Sequence, residues 1–195
     1  MMRDHIYVYI KEPAVRVLGP GVRYGLWVQG CLQHCPGCIA ENSHEMKAGK
    51  PISIDALVFE IAHSKAEGIT ISGGEPFLQA EELAQLLARV KQKRKMGVII
   101  YTGYKYEDLL KDEKARTLLE ETDLLIDGPY IKELDDGKSL RGSSNQRVIP
   151  LTDMYREDLS AYGIEGRERE TFNHGILVHI VGIPQHNRAE EDKNE

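Results

Sequence analysis

Residues 69–101, ITISGGEPFLQAEELAQLLARVKQKRKMGVIIY, decide the fold class. Ile69 to Ser72 is a short apolar strand, stopped by Gly73-Gly74. Leu83, Leu86, Leu87 and Val90 then share one helix face at three- and four-residue spacing. Gly97 to Tyr101 is a second strand, turned at Gly103. Strand, helix and strand with short connections make a right-handed crossover, which sets the two strands parallel. The alternation continues both ways. Upstream, Arg23 to Gln29 (RYGLWVQ) reads as a buried strand, and Ser53 caps a helix carrying Ile54, Leu57, Val58 and Ile61. Downstream, residues 106–120 carry a weaker helical stripe, and Leu124 to Asp127 (LLID) is a strand cut off by Gly128-Pro129.

The pattern predicts an α/β fold with parallel strands. A closed eight-unit barrel takes about 250 residues. This chain has 195, so a partial, open (β/α) barrel is expected. On this reading residues 1–150 are the core. Residues 151–195 are a C-terminal extension packed on it, with one strand over 174–182 and a frayed tail. Chemistry in such sheets collects past the carboxyl ends of the strands, where Cys31, Gly73-Gly74-Glu75, Thr102 and Asp127 all stand.

Hydrophobic residues at 41% and charged residues at 29% exclude a collagen-like, coiled-coil or largely disordered chain. The net charge of −6, with no dominant basic stripe, makes nucleic acid a poor partner. The longest apolar stretches, such as Ile176 to Val181, are too short to span a bilayer. The opening Met1-Met2-Arg3-Asp4-His5 leads into no secretion signal, so a cytoplasmic protein without membrane contact is expected. All three cysteines fall within CLQHCPGC (31–38). An odd count so tightly packed points to metal or redox chemistry, not to a disulfide framework.

Cys31, Cys35 and Cys38 form C-x3-C-x2-C. A structural zinc ion would want a fourth ligand, for which His34 or His44 is available. A four-iron cluster usually takes four cysteines, so three leave one iron open to a substrate. That spacing, followed by Ser72-Gly73-Gly74-Glu75-Pro76 after the next strand, resembles the radical S-adenosylmethionine (radical SAM) superfamily. The resemblance implies a [4Fe-4S] cluster on Cys31, Cys35 and Cys38, with SAM at the open iron and reductive cleavage to a 5′-deoxyadenosyl radical. It also implies that Ser72, Gly73, Gly74 and Glu75 meet the SAM amino group.

Three further segments are similar to the activating enzymes of anaerobic ribonucleotide reductase. They are Pro36-Gly37 before the last cysteine, IDGPY (126–130) and LRGSSNQRVI (140–149). This second resemblance covers residues 15–149. It implies that Asn145 and Gln146 help position SAM. It further implies that the hydrogen donor is a backbone glycine of a glycyl-radical enzyme, and that a flavodoxin- or ferredoxin-type protein is the reductant. Asp127 either holds SAM or a small cation, or caps the following turn. Gly37 stands where the superfamily often has an aromatic against the adenine, so the adenine shelf must come from elsewhere.

Two other functions compete. One is a radical SAM enzyme acting on a small molecule, of the 7-carboxy-7-deazaguanine synthase type, with the extension closing over substrate. The other is a non-catalytic iron–sulfur or zinc interaction module. Arg89, Lys91, Lys93, Arg94 and Lys95 read chiefly as a solvated helix end, and secondarily as a dock for an acidic electron donor. His174, His179 and His186 are spaced too loosely to predict a metal site, and Trp27 and Tyr101 read as packing residues.

Overall fold

The computed structural model describes residues 4–158, 166–175 and 177–183. β1 (His5–Val15) and β2 (Arg23–Val28) pair antiparallel, and β3 (Lys50–Ser53) pairs with the far side of β1. There follow α1 (Ile54–His63), β4 (Gly68–Gly73), α2 (Ala80–Lys91), β5 (Gly97–Tyr101), α3 (Tyr106–Leu109), α4 (Glu113–Glu120), β6 (Leu124–Asp127) and β7 (Arg147–Pro150). One open sheet results, in the order β3-β1-β2-β4-β5-β6-β7. β2, β4, β5 and β6 are parallel neighbours, and antiparallel β1 and β7 flank them. The sheet does not close, as expected for a chain this short.

Strand alternation sorts the two faces. Tyr24, Leu26 and Val28 of β2, Ile69 and Ile71 of β4, Val98 and Ile100 of β5 and Leu125 of β6 join one core with the apolar stripes of α1, α2 and α4. Each such side chain, fully buried, contributes about 1.5–3 kcal/mol. Ser53 caps α1, its Oγ accepting from Ala56 N at 3.2 Å. The opposite parity, with Trp27, Ser72 and Tyr101, faces a cavity on the other side of the sheet.

Three expectations need correction. The stripe over 106–120 is two short helices, because Asp112 caps α4 through Lys114 N at 2.8 Å and so starts a new helix. The single strand over 174–182 is instead a hairpin, β8 (Glu170–His174) and β9 (Leu177–Val181), with Gly175 in the turn at φ 71°. The sheet is also wider than four parallel strands, since β1, β3 and β7 extend it on both sides. His186 and the expected frayed tail beyond residue 183 lie outside the described residues.

The hairpin lies on the cavity face. Val181 packs with Val15 and Leu18, and Trp27 and Phe172 lean on the same cluster. Upstream of it, Tyr155 accepts a hydrogen bond from buried Arg23 at 2.5 Å.

Candidate functional site

A cavity of about 400 Å³ opens beyond the ends of β2, β4 and β5. Cys31, Cys35 and Cys38 line it, together with Ser72, Gly73, Gly74 and Glu75. Backbone bonds hold the cysteine loop at the exit of β2: Gly30 N donates to Ser43 O at 2.7 Å and Cys31 N to His44 O at 3.0 Å. The Gln29 amide clamps the loop from outside, donating to Asn42 O and Glu45 O at 3.2 and 2.8 Å. All three thiols are free, with Cys31 buried and the other two half-buried. Burial pushes the Cys31 and Cys38 thiols up, so a cation must arrive to hold them as thiolates. Of the two histidines considered beside them, His44 reaches the thiols, its Nε2 lying 3.4 Å from Cys38 Sγ.

The Gly73-Gly74 turn lies directly on this exit. Gly74 N donates to Val28 O at 2.8 Å, and Glu75 N to Gly30 O at 2.7 Å. A Cβ at Gly73 would sit 2.5 Å from Val28 N, and one at Gly74 would press into the Gly30 carbonyl. The glycines are therefore needed for backbone to meet backbone, which fixes the turn against the cysteine loop.

Glu75 is 1% exposed and already engaged. Its Oε1 accepts from Phe77 N at 3.0 Å and from Thr102 Oγ1 at 2.8 Å, while Oε2 accepts from Gly103 N at 2.8 Å. It ties the β4 turn to the β5 turn. Burial pushes its carboxyl up to about 7 in spite of these three donors.

Asp127 is not among the cavity-lining residues. It shares the parity of Leu125 and so points toward the helices. There Oδ2 caps α3 through Tyr106 N at 2.7 Å, and Arg147 grips both oxygens, its Nε lying 2.9 Å from Oδ1. Asp127 thus caps an upstream helix instead of the turn that follows it, and it does not line the cavity.

The GSSNQR segment closes on itself. Gln146 lines the cavity, but its Oε1 accepts from Gly142 N and Ser143 N at 2.8 and 3.2 Å and its Nε2 donates to Gly128 O at 2.9 Å. Asn145 Nδ2 donates to Pro129 O at 2.8 Å. Asn145 Oδ1 is buried and has no hydrogen-bond donor among the described residues. Sequence reasoning set Trp27 and Tyr101 aside as packing residues and did not single out Tyr130, yet all three line the cavity. Parity was the available signal for the first two, since both alternate with helix-facing residues.

The family described as a 4Fe-4S single cluster domain matches residues 17–149. The anaerobic ribonucleoside-triphosphate reductase-activating protein of Enterobacteria phage T4 is 35% identical over 159 residues, 78% of this chain and 96% of that protein. Its namesake in Escherichia coli (strain K12) is 31% identical over 149 residues, 71% of this chain and 95% of that one. The chain belongs to the radical SAM activases. Within that family, the pyruvate formate-lyase-activating enzyme of Staphylococcus aureus (strain USA300) is 30% identical over 161 residues, 76% of this chain and 62% of that enzyme.

A 4Fe-4S domain and the use of SAM come with this membership. The residues present fit such a group. Three soft thiol donors line one cavity and no disulfide competes for them. No helix among the described residues is long and apolar enough to cross a membrane.

Proposed function

We propose that this chain is a glycyl-radical activase whose partner is an anaerobic ribonucleotide reductase. The observation that carries the reading is the shared wall of the cavity, where the three cysteine thiols and the Ser72 to Gly74 turn are locked together by backbone hydrogen bonds. Cys31, Cys35 and Cys38 would hold a [4Fe-4S] cluster with one iron open. When bound, that cluster supplies the electron that cleaves SAM to a 5′-deoxyadenosyl radical, which takes a hydrogen atom from a backbone glycine of the partner.

The chain's own residues bind and orient. Ser72 and the backbone of Gly73 and Gly74 face the SAM amino acid moiety, while Glu75 holds that turn from behind. Asn145 acts from behind the cavity wall, its Nδ2 holding the Pro129 carbonyl at 2.8 Å. The Gln146 amide keeps the 128–143 region folded beside the cavity, and Tyr101, Tyr130 or Trp27 supplies the adenine shelf missing at Gly37. Residues 1–150 are the catalytic core on this reading, and residues 151–195 an addition that reaches the cavity. The electron donor is an acidic flavodoxin or ferredoxin type. Of the basic cluster expected to meet it, Arg94 donates to Ser64 O and Ala66 O, both at 2.7 Å, Lys91 donates to Glu121 O and Arg89 pairs with Asp55. That leaves Lys93 and Lys95 for docking. Neither nucleic acid nor a membrane has a part in this reading.

One observation favours a second reading. Val178, His179 and Gly182 of the hairpin region also line the cavity, and a covered cavity suits a small-molecule substrate. The experiment is anaerobic reconstitution with iron and sulfide, then dithionite and SAM, with 5′-deoxyadenosine measured by chromatography. An anaerobic ribonucleoside-triphosphate reductase is then added and its glycyl radical sought by electron paramagnetic resonance. The proposal expects 5′-deoxyadenosine from wild type and none from Cys35→Ala, and a radical doublet on the reductase. Cleavage of SAM with no doublet moves the case to the small-molecule reading. Zinc binding with no iron–sulfur cluster defeats both.

A further inference from the structure

His174 and His179 were too far apart in sequence to suggest a ligand pair, yet the β8–β9 turn brings their rings to 5.2 Å. Both point at one oxygen. His174 Nε2 lies 2.7 Å and His179 Nδ1 2.8 Å from Glu12 Oε1. Glu12 is 1% exposed, although a buried carboxylate is costly without compensation. Among the described residues, these are the one trio of His, Cys, Asp or Glu groups whose ligand atoms lie within 4.8 Å of one another.

The inward turn of Glu12 is built into β1. Ile6 and Val8 face the helices, but the pairing with β2 shifts register between Val8 and Ile10. After that irregularity Ile10 lines the cavity, while Lys11 reaches back to Glu60 on α1 at 2.5 Å. Glu12 therefore shares the side of Ile10 and meets the hairpin.

We propose that Glu12, His174 and His179 form a binding site for a divalent cation of the zinc class, separate from the cysteine loop. Two imidazoles and one carboxylate are a donor set suited to zinc, cobalt or ferrous iron. Two ring nitrogens that face a single carboxylate oxygen have the layout in which one cation can sit among the three, with each ring proton carried on the outer nitrogen. The three protein ligands leave a fourth position to water. The cation would pin β8 and β9 to β1. His179 lines the cavity and Val181 packs on Val15, so the same pin holds the hairpin wall of the cavity in place. The site stands on these three residues and does not depend on what the cavity binds.

The test is a zinc titration of full-length protein in two backgrounds: the reconstituted holoprotein, and a chain carrying Cys31→Ser, Cys35→Ser and Cys38→Ser. Bound zinc is counted by elemental analysis after gel filtration, and amide hydrogen exchange is followed with and without zinc. The expected result is one zinc per chain in both backgrounds, with slower exchange over residues 170–182. His174 is half-exposed, so His174→Ala removes a ligand with little risk to folding. It should weaken zinc binding at least about tenfold and cancel the exchange effect, while leaving the acid-labile sulfide content of the holoprotein unchanged. A zinc count of zero in wild type, or a count and exchange pattern untouched by His174→Ala, overturns the proposal.

Discussion

Glu75→Gln separates the role of Glu75 as a tie from its charge. In the folded chain burial pushes the Glu75 carboxyl up to about 7, from an ordinary 4.5. The fold thus favours the neutral form, and the unfolded chain loses its proton first. This contribution to stability is whole below about pH 4.5, is lost as pH rises toward 7, and is flat above. For these two values the loss between pH 5 and pH 8 is about 2.5 kcal/mol. Glutamine cannot ionise, so the variant lacks this slope. Its amide nitrogen must instead replace one oxygen that accepts from Phe77 N or Gly103 N, leaving a buried N–H without an acceptor. That costs about 1–3 kcal/mol at every pH. Urea unfolding of metal-free, reduced wild type and Glu75→Gln from pH 5 to pH 8 reads both effects. The variant should be clearly weaker at pH 5 and gain on wild type by about 2.5 kcal/mol by pH 8. All other titrating groups are common to both chains and cancel in the difference. A constant gap across the series would refute the assignment of a buried, proton-holding Glu75.

Arg23→Ala should destabilise by about 3 kcal/mol or more, because the buried guanidinium donates to Ile69 O, Gly97 O, Thr70 Oγ1 and Tyr155 Oη. Tyr155→Phe, which loses one of those bonds, should cost about 1 kcal/mol in the same urea melts. Asp127→Ala should lower stability by about 1–2 kcal/mol through loss of the α3 cap. It should leave the SAM concentration for half-maximal 5′-deoxyadenosine formation unchanged, and a large rise there would return Asp127 to the cavity. Gly74→Ala should reduce iron incorporation, since its Cβ would meet the Gly30 carbonyl, with the carbon at 2.7 Å, and displace the start of the cysteine loop. Gly103→Ala meets only the flexible Gln33 side chain at 2.9 Å and should incorporate iron normally; equal iron content in the two variants would contradict this account.

The central sheet was legible because each parallel strand announces itself locally. A strand buried on both faces is a short apolar run such as GVIIY, and the helix that returns the chain carries its own stripe. The flanking strands carry no such signal. β3 is KPIS and β7 is RVIP, each four residues long with exposed ends, and only their pairing with β1 and β6 makes them strands. β1 alternates, but its register shifts break the period that would have betrayed it. The hairpin failed for a related reason. HGILVHIVG reads as one apolar run, and the turn at Gly175 becomes visible only when Glu170 to His174 is seen as its partner.

The site was legible in its location and less so in its roles, and the difference has a physical basis. A motif records which residue types a place requires without saying whether they touch a ligand or build the wall behind it. Glu75, Asp127 and Gln146 were all expected at the cofactor, yet each has its polar atoms engaged by the chain itself. Strand parity could have divided them in advance. Ser72 is two residues from Thr70, on the face away from the helices, whereas Asp127 is two residues from Leu125, which packs against them. For Glu75 the signal is its place as cap before Pro76 and Phe77, where a carboxylate turns back to its own backbone. What the motifs present to the cavity is mostly backbone, together with Ser72. A contact made by backbone survives side-chain substitution. Mutagenesis of the motif should therefore report mainly on how well the wall is built, and SAM affinity should respond most sharply where a substitution moves the Gly73-Gly74 turn itself.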